Sequence, residues 1–276
     1  MLIIKKLRFE EVARHAVLLT IAAITLIPLA WMAVTSFKTE KGVFSGPMFW
    51  PDTFNLEGYA RVFSEAPILS WTANSLTIAA FQVLGQLFVS ILAAYAFAHF
   101  RFHYREPLFF FVLMTMMIPQ QVTMIPTYLI VNKLNWLNSF TGVIVPYLAS
   151  GYAIFLLRQS FLTIPQALAD TAEIDGCGAL RTLWHVYIRM SLPVISALAV
   201  ILFVGVWNDY QWPLLVLTDK MMQPLPLALV QFRQEGVLEY VPTMAAATLS
   251  MLPVIILYLV AQRSFIEGFS NSGIKG

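Results

Sequence analysis

Charged residues are scarce in this sequence. Asp, Glu, Lys and Arg make up 12% of its 276 residues, against a usual share of about 25%, while hydrophobic residues make up 59%. One cysteine excludes an intrachain disulfide and a cysteine metal cluster, and the four dispersed histidines lack metal-ligand spacing. The sequence also lacks the phosphate-binding pattern G-x-x-x-x-G-K-S/T and the glycine-flanked serine of a hydrolase. These absences argue against a soluble domain, an ATPase, a metalloprotein and an enzyme.

Six runs without Asp, Glu, Lys or Arg predict membrane-spanning helices. A bilayer core of about 30 Å is crossed by roughly 20 helical residues, with about 17–25 tolerated. The runs are 15–37, 66–100, 107–132, 134–157, 190–208 and 240–262. Five of them fit one span each, and the second exceeds that length. The sequence therefore predicts an all-α integral membrane protein with six transmembrane helices.

Lysine and arginine in the connections predict the orientation. With the N-terminus inside, eleven of the 17 Lys and Arg residues fall on the inner side and six on the outer side. This bias predicts that both termini are cytoplasmic. The first run exceeds the roughly 7–15 residues of a signal-peptide core, and no cleavage site follows before Lys38, so we expect a retained anchor. Because the basic residues form no single patch, nucleic acid is not an expected partner.

The segment 163–193, between the fourth and fifth predicted spans, has the pattern of two short helices. Thr163 with Gln166 three residues later fits a capping box, which predicts the start of a helix. We expect this helix to reach Asp175. The glycines that follow break it, because glycine adopts left-handed backbone without a Cβ penalty. A second amphipathic run continues to about Arg189, so the segment predicts a knob that fits another protein's cleft.

The residues 170–177, DTAEIDGC, resemble the EAA coupling loop of ABC importer permeases, usually written Glu-Ala-Ala-x-x-Asp-Gly-Ala. Asp170 and Thr171 replace the family's Glu and first Ala, and Arg189 stands where the family often has an earlier proline. The resemblance implies that residues 163–193, here called the coupling segment, contact ATPase subunits. The coupling residues it implies are Asp170, Ala172, Asp175, Gly176 and Cys177. The pattern alone also permits an interfacial pair of amphipathic helices with no partner.

Aromatic and polar residues follow the fifth predicted span. They are Trp207, Asn208, Asp209, Tyr210 and Trp212. Aromatic faces suit the C–H faces of sugar rings, and an amide with a carboxylate suits their hydroxyls. An ionisable group beside a membrane span is a functional candidate. These residues predict the lining of a translocation pathway, although an aromatic belt at the outer interface accounts for the three rings equally well.

Two other features concern the shape and packing of the helices. Pro119 and Pro126 interrupt the outer half of the third span, which we expect to be bent or partly unwound. Gln120 is among the polar residues that can satisfy the freed carbonyls or contact substrate. Ser90 and Ala94 belong to a stripe of small residues spaced four apart, which predicts close helix packing.

The stretches 117–130, 141–161 and 206–215 resemble the carbohydrate branch of the ABC importer permeases, the maltose and glycerol-3-phosphate type. The resemblance implies a type I ABC importer permease fold. It places a permease core of five spans and the coupling segment at 70–276. Residues 1–69 then hold the N-terminal segment, the first span and an outer loop.

This resemblance also implies a function and a set of partners. The chain would form half of the pathway of an ATP-driven carbohydrate importer in a bacterial or archaeal inner membrane. Its partners would be a second permease subunit, two ABC ATPase subunits, membrane lipid and an extracytoplasmic substrate-binding protein that meets residues 219–241. ATP would be bound by the ATPase subunits, so no cofactor is expected here. The alternative is a secondary transporter or a channel, which needs no knob and often has repeated halves that are not visible here.

Overall fold

The structure is a computed structural model, and it describes residues 2–51, 53–227, 229, 232–234 and 237–273. Its α-helices, in chain order, are α1 (Leu2–Thr35), α2 (Gly42–Ser45), α3 (Glu57–Glu65), α4 (Ile68–His99), α5 (Arg105–Thr115), α6 (Gln120–Lys133), α7 (Phe140–Ile144), α8 (Gly151–Leu162), α9 (Gln166–Ile174), α10 (Ala179–Thr182), α11 (Leu192–Asn208), α12 (Gln211–Val216) and α13 (Tyr240–Gly273). Short 3₁₀ turns lie at Val145–Tyr147, Lys220–Met222 and Leu225–Leu227, and a π-helical turn at Leu183–Ile188. Strands β1 (Arg233–Gln234) and β2 (Val237–Leu238) pair antiparallel. The predicted helical architecture is confirmed.

The described residues contain enough apolar helix for the predicted spans. Three helical stretches are long and apolar enough to cross a membrane, namely Glu11–Thr35 in α1, the whole of α4, and Tyr240–Gln262 in α13. Three bent pairs meet the same criteria together. They are α5 with α6 (98°), Phe140–Tyr147 with α8 (44°), and Ala179–Ile188 with α11 (83°). If each bent pair is one span, the total is six, which is the predicted number.

The third predicted span is broken at Pro119. Helix α5 ends at Thr115, and α6 begins at Gln120, directly after Pro119, whose ψ of 135° is not helical. Proline lacks an N–H and clashes with the preceding turn, so a helix cannot run through it without distortion. Pro126 lies inside α6, and Thr123 Oγ1 donates to the carbonyl of Gln120. The predicted bend is therefore confirmed, with its sharp break at the first of the two prolines.

The chain divides into two compact units, which are described separately. One unit comprises Met1–Ile68 with Ala228–Leu252, and the other comprises Leu69–Leu227 with Pro253–Gly276. The predicted boundary at 69/70 lies beside the first division. The assignment of residues 1–69 and 70–276 to separate domains stays a prediction, because residues 228–252 group with the N-terminal unit.

In the unit that contains the N-terminus, polar contacts join α3 to the start of α13. Arg61 Nε donates to Glu65 at 2.8 Å, and its Nη2 donates to Glu239 at 2.9 Å. The hydrogen bond from Arg61 lowers the pKa of Glu65 below its usual value. Glu40 accepts the backbone N–H of Val241 at 2.9 Å. These contacts tie the first predicted outer connection to the beginning of the last helix.

In the larger unit, small residues of α4 are buried in the core. Ser90 and Ala94 are fully inaccessible to solvent. Ala94 belongs to an apolar cluster that also holds Leu157 and Phe161 of α8 and Leu198 of α11. A side chain no larger than a methyl or hydroxymethyl group permits this close approach of helices. The predicted packing role of the small-residue stripe is confirmed.

A buried arginine fixes the loop between α4 and α5. The side chain of Arg158, on α8, is only 9% exposed. Its Nε donates to the carbonyl of Phe97 at 3.2 Å, and its Nη2 donates to Glu106 Oε1 at 2.8 Å. The guanidinium carbon also lies 4.0 Å from the centre of the Phe109 ring. A buried guanidinium needs such partners, and its planar fork can serve several at once.

Candidate coupling segment and translocation cavity

The coupling segment contains a helix that ends in a left-handed turn. Helix α9 ends at Ile174 with Asp175 as its C-cap, and Gly176 follows with φ of +81°. The N–H of Gly176 donates to the Glu173 carbonyl at 3.0 Å, and the N–H of the next residue donates to the Ala172 carbonyl at 2.9 Å. These two bonds form a Schellman motif, which satisfies the last carbonyls of a helix. The predicted break at Gly176 is confirmed.

The predicted capping box at the start of the coupling segment is wrong. Helix α9 begins at Gln166 with Pro165 as its N-cap, and no side chain caps it. Thr163 instead ends α8, and its Oγ1 donates to the Ser160 carbonyl at 2.7 Å. Gln166 Nε2 donates forward to Asp170 Oδ1 at 3.2 Å rather than back to Thr163. The fixed φ of Pro165, −58°, lets the backbone enter the helix without a hydroxyl cap.

The second half of the coupling segment is also helical. Gly178 is the N-cap of α10, and the π-helical turn that follows ends with Arg189 as its C-cap. The predicted extent, to about Arg189, is confirmed. A π-helical turn is uncommon and often occurs at functional sites. Here it separates α10 from α11.

The predicted coupling residues lie close together around the turn. Asp170 and Asp175 are exposed, whereas Ala172 and Cys177 are half-buried. Two large apolar side chains that the sequence reasoning missed project beside them: Ile174 is 85% exposed and Leu180 is 73% exposed. The sequence did contain a signal for their exposure, because Ile174 and Leu180 are large apolar residues on either side of the glycines in a stretch that is otherwise mostly polar.

The base of the coupling segment is packed into the core of the larger unit. Ala169 of α9 and Leu183 and Tyr187 of the π-helical turn are buried in the cluster that contains Tyr95 and Phe161. Tyr187 meets Phe161 edge to face, with ring centres 5.4 Å apart. The segment therefore presents an exposed turn on an anchored base.

An open cavity of about 370 Å³, with both polar and apolar lining residues, lies in the same unit, and α4, α6, the turn at Val145–Tyr147 and α11 line it. Its polar lining residues are Gln82, Gln86, Gln120, Tyr147, Asn208 and Asp209. Two of the predicted pathway residues, Asn208 and Asp209, are thus joined by four polar residues from other elements. Gln120 was named from the sequence for a related role, whereas Gln82 and Gln86 were missed. The sequence did contain a signal for them, because two amide side chains four residues apart lie on the same face of an otherwise apolar helix.

One buried polar atom near this cavity lacks a partner. Gln86 Nε2 donates to the carbonyl of Tyr147 at 2.8 Å. Its Oε1 is buried and has no hydrogen-bond partner among the described residues. An unsatisfied buried polar atom costs roughly 1–3 kcal/mol.

The structure divides the predicted aromatic group. Trp207 is buried and stacks on Phe203 with ring centres 5.5 Å apart. Trp212 is fully buried, and its Nε1 donates to the Gly142 carbonyl at 3.2 Å. Tyr210 is exposed. Only Asn208 and Asp209 of the five residues line the cavity, because α11 ends between them and the following tryptophan turns into the core.

The expected contact with a binding protein falls on residues 219–241. Residues 219–227 contain two 3₁₀ turns, and Trp71 Nε1 donates to the Lys220 carbonyl at 2.6 Å. Residues 232–234 and 237–239 hold the short hairpin. Residues 228, 230, 231, 235 and 236 lie outside the described residues, so the contact stays a prediction.

Apolar helices sufficient for six spans, a projecting helical turn and an open cavity with polar lining residues together define a polytopic membrane transport subunit. The chain belongs to the family of binding-protein-dependent transport system inner membrane components, whose pattern matches residues 86–270. It is therefore a permease component of a binding-protein-dependent ABC importer. Family membership supports this conclusion over the alternative of a secondary transporter or channel.

Characterised relatives match almost the whole chain. The chain is 33% identical over 267 residues to the sn-glycerol-3-phosphate transport system permease protein UgpE of Shigella flexneri serotype 5b (strain 8401), covering 94% of this chain and 95% of that protein. It is 32% identical over 281 residues to the UgpE of Yersinia pestis bv. Antiqua (strain Antiqua), covering 98% and 99%.

Solved structures share the fold. A chain of a bacterial ABC transporter involved in the import of the acidic polysaccharide alginate matches with a TM-score of 0.82 and 24% identity, covering 94% of this chain and 97% of that one. A chain of the bacterial alginate ABC transporter in complex with a periplasmic protein bound to an alginate pentasaccharide matches with a TM-score of 0.67 and 14% identity. That likeness covers 92% of this chain and 96% of the other.

Proposed function

We propose that this chain lines half of the translocation pathway of an ATP-driven carbohydrate or polyol importer, and that its coupling segment docks on ABC ATPase subunits. A second permease subunit completes the pathway, and an extracytoplasmic binding protein delivers the substrate. The chain spans a bacterial or archaeal inner membrane with both termini cytoplasmic. The binding-protein complex of the structural relative and the distribution of Lys and Arg support these assignments.

The observation that carries the docking proposal is the shape of the coupling turn. Ile174 and Leu180 expose large apolar surface on either side of the left-handed Gly176. Apolar side chains held in water on a projecting turn are typical of an interaction site, because a partner's pocket removes them from water. The exposed carboxylates of Asp170 and Asp175 add charge at the rim.

The cavity supports a polyhydroxylated substrate. Three glutamines and Asn208 offer amide donors and acceptors, and Asp209 offers carboxylate oxygens. Hydroxyl groups both donate and accept, so they match this mixture of groups. The substrate named for the glycerol-3-phosphate relatives and the alginate named for the structural relative agree with this class.

Docking is tested by replacing one apolar residue of the turn. Ile174→Asp puts a charge where we expect a partner's apolar pocket, and it leaves the buried base of the segment intact. We expect ATPase co-purification with the tagged permease to fall at least tenfold, with normal membrane insertion. Met48→Asp is the matched control, since it puts the same charge at an exposed apolar site in the predicted outer connection. Equal ATPase recovery from both variants would contradict the docking proposal.

A further inference from the structure

His99 occupies the junction between the coupling segment and a membrane-spanning helix. It is the last residue of α4, and its side chain is only 8% exposed. The ring stacks on Tyr95, with centres 4.8 Å apart and planes inclined by 10°. It also meets the ring of Tyr187 edge to face, with centres 5.7 Å apart. The imidazole is thus held between a residue of α4 and a residue of the coupling segment.

Both ring nitrogens of His99 face the coupling segment. Nδ1 lies 3.2 Å from the hydroxyl of Tyr187, in the π-helical turn. Nε2 lies 3.5 Å from Oε1 of Glu173, on α9. If Nε2 carries the ring proton, its N–H faces the carboxylate of Glu173, and Nδ1 accepts a hydrogen bond from the Tyr187 hydroxyl. One side chain of α4 therefore contacts both helical parts of the coupling segment, by a hydrogen bond with Tyr187 and at ion-pair distance from Glu173.

The same helix also reaches the cavity. Gln86 precedes His99 by 13 residues, which is about 20 Å along a helix at 1.5 Å per residue. Gln82 lies one turn further, and both glutamines line the cavity. Helix α4 is continuous over this distance, with no proline within it. A displacement of its inner end can therefore reach the cavity through a rigid element.

We propose that His99 is a positioning residue that links motion of the coupling segment to α4 and hence to the cavity. This proposal rests on the proposed docking of the coupling segment on ATPase subunits. The apolar contacts at the base of the segment are non-directional, so helices can slide over one another while keeping them. The hydrogen bond between His99 and Tyr187 has a fixed direction, and the Glu173 carboxylate lies at ion-pair distance from the same ring. We therefore expect α9, the π-helical turn and α4 to move together while these contacts persist.

The experiment measures the nucleotide response of the cavity, which requires no knowledge of the substrate. A single cysteine replaces Gly205, which lines the cavity and has no atom within 4 Å of an added Cβ. All proteins keep Cys177, and the labelling measured in the protein without the added cysteine is subtracted. The protein with the added cysteine as its one change is the parent, and it sets the reference response. The full importer is reconstituted in nanodiscs, and the labelling rate with a methanethiosulfonate reagent is compared without nucleotide and after ATP–vanadate trapping. We expect at least a tenfold difference between the two states in the parent.

Three variants separate transmission from packing. His99→Phe keeps a stacking ring and removes both nitrogens, and Tyr187→Phe removes only the hydroxyl. His99→Gln retains a donor that can reach Glu173. We expect the nucleotide response to fall below twofold in His99→Phe, to be reduced in Tyr187→Phe, and to recover substantially in His99→Gln. His103→Phe is the matched control, because His103 is exposed in the same inner loop, and it should respond like the parent.

The outcomes are distinct. A parent-like response in His99→Phe, with ATPase subunits bound, overturns the role of His99 and leaves the proposed function intact. Loss of bound ATPase subunits from both His99→Phe and His99→Gln indicates a role in assembly, and this also overturns the proposal. A parent complex that binds no ATPase subunits contradicts the proposed function itself.

Discussion

Gly176→Val tests whether the backbone of the coupling turn, rather than its side chains, is needed for coupling. Gly176 has φ of +81°, a region that L-residues with a Cβ rarely adopt. No atom lies within 4 Å of a Cβ added there, so steric contact with the rest of the chain adds no penalty. The cost of the substitution is therefore the conformational cost of the left-handed backbone.

That cost can be bounded. Left-handed backbone is disfavoured by about 1–2 kcal/mol for L-residues in general, and strained residues of this kind cost up to about 3 kcal/mol. For a β-branched residue such as valine, the conformational cost lies toward the upper end of this range. A range of about 1–3 kcal/mol corresponds to a roughly 5- to 150-fold decrease in the population of the native turn. Loss of the turn frees the Schellman hydrogen bonds and moves Ile174 relative to Leu180.

Gly178→Val is a matched control two residues away. An added Cβ at Gly178 also has no atom within 4 Å, but the backbone there is extended, with φ of −73° and ψ of 167°. Valine adopts that conformation readily, so the side chain added is the same and the backbone strain is absent. We expect Gly176→Val to reduce ATPase co-purification at least fivefold with normal membrane insertion, and Gly178→Val to reduce it less than twofold. Equal reductions in the two variants, or wild-type transport by Gly176→Val, would refute the reasoning.

Three other predictions concern orientation, the cavity and the inner loop. In a Cys177→Ser background, a cysteine at Ser45 should react with an impermeant thiol reagent from outside and one at Ser272 should not; the opposite pattern reverses the topology. For the cavity, the transported solute is first identified by releasing it from the co-purified binding protein, and its uptake is then measured. Asp209→Asn keeps hydrogen bonding and should retain much of this uptake, whereas Asp209→Leu should reduce it at least tenfold. Full uptake by the leucine variant would remove this residue from the pathway. Arg158→Lys keeps the charge but loses the planar fork, so the free energy of unfolding of the detergent-solubilised protein should fall by about 1.5–3 kcal/mol. An unchanged melting temperature would contradict the role of Arg158 in fixing the loop between α4 and α5.

The spans were predictable because the bilayer imposes a length and excludes charge. Runs without charged residues located all three continuous apolar helices, the regions of two bent pairs, and α11 of the third pair. The break at Pro119 was predictable for a local reason, since proline cannot donate a helical hydrogen bond. The choice between Pro119 and Pro126 was not, because the pattern does not identify which neighbours can satisfy the carbonyl that each proline frees.

The failure of the capping box shows how two valid local signals compete. Thr163 and Gln166 have the correct spacing, and Pro165 between them is also a residue that starts helices. The proline became the N-cap, and the threonine hydroxyl donated instead to the last turn of α8. A sequence pattern cannot decide whether a hydroxyl caps the helix after it or closes the helix before it. That depends on where α8 ends, which packing against the core decides.

The coupling turn and the cavity differ in what the sequence can reveal about them. The turn depends on consecutive residues, and its need for positive φ selects glycine at one position, so the motif and the backbone point to the same place. The cavity brings together residues from α4, α6, the turn before α8 and the end of α11. These residues are far apart in the sequence, and their spacing forms no recognisable pattern. Gln82 and Gln86 become neighbours of Asp209 only when these helices pack. His99 combines both situations: its place at the end of a span is visible in the sequence, but its contact with Glu173 depends on the fold. Residues that link a local motif to a distant site are therefore the ones for which a structure is needed.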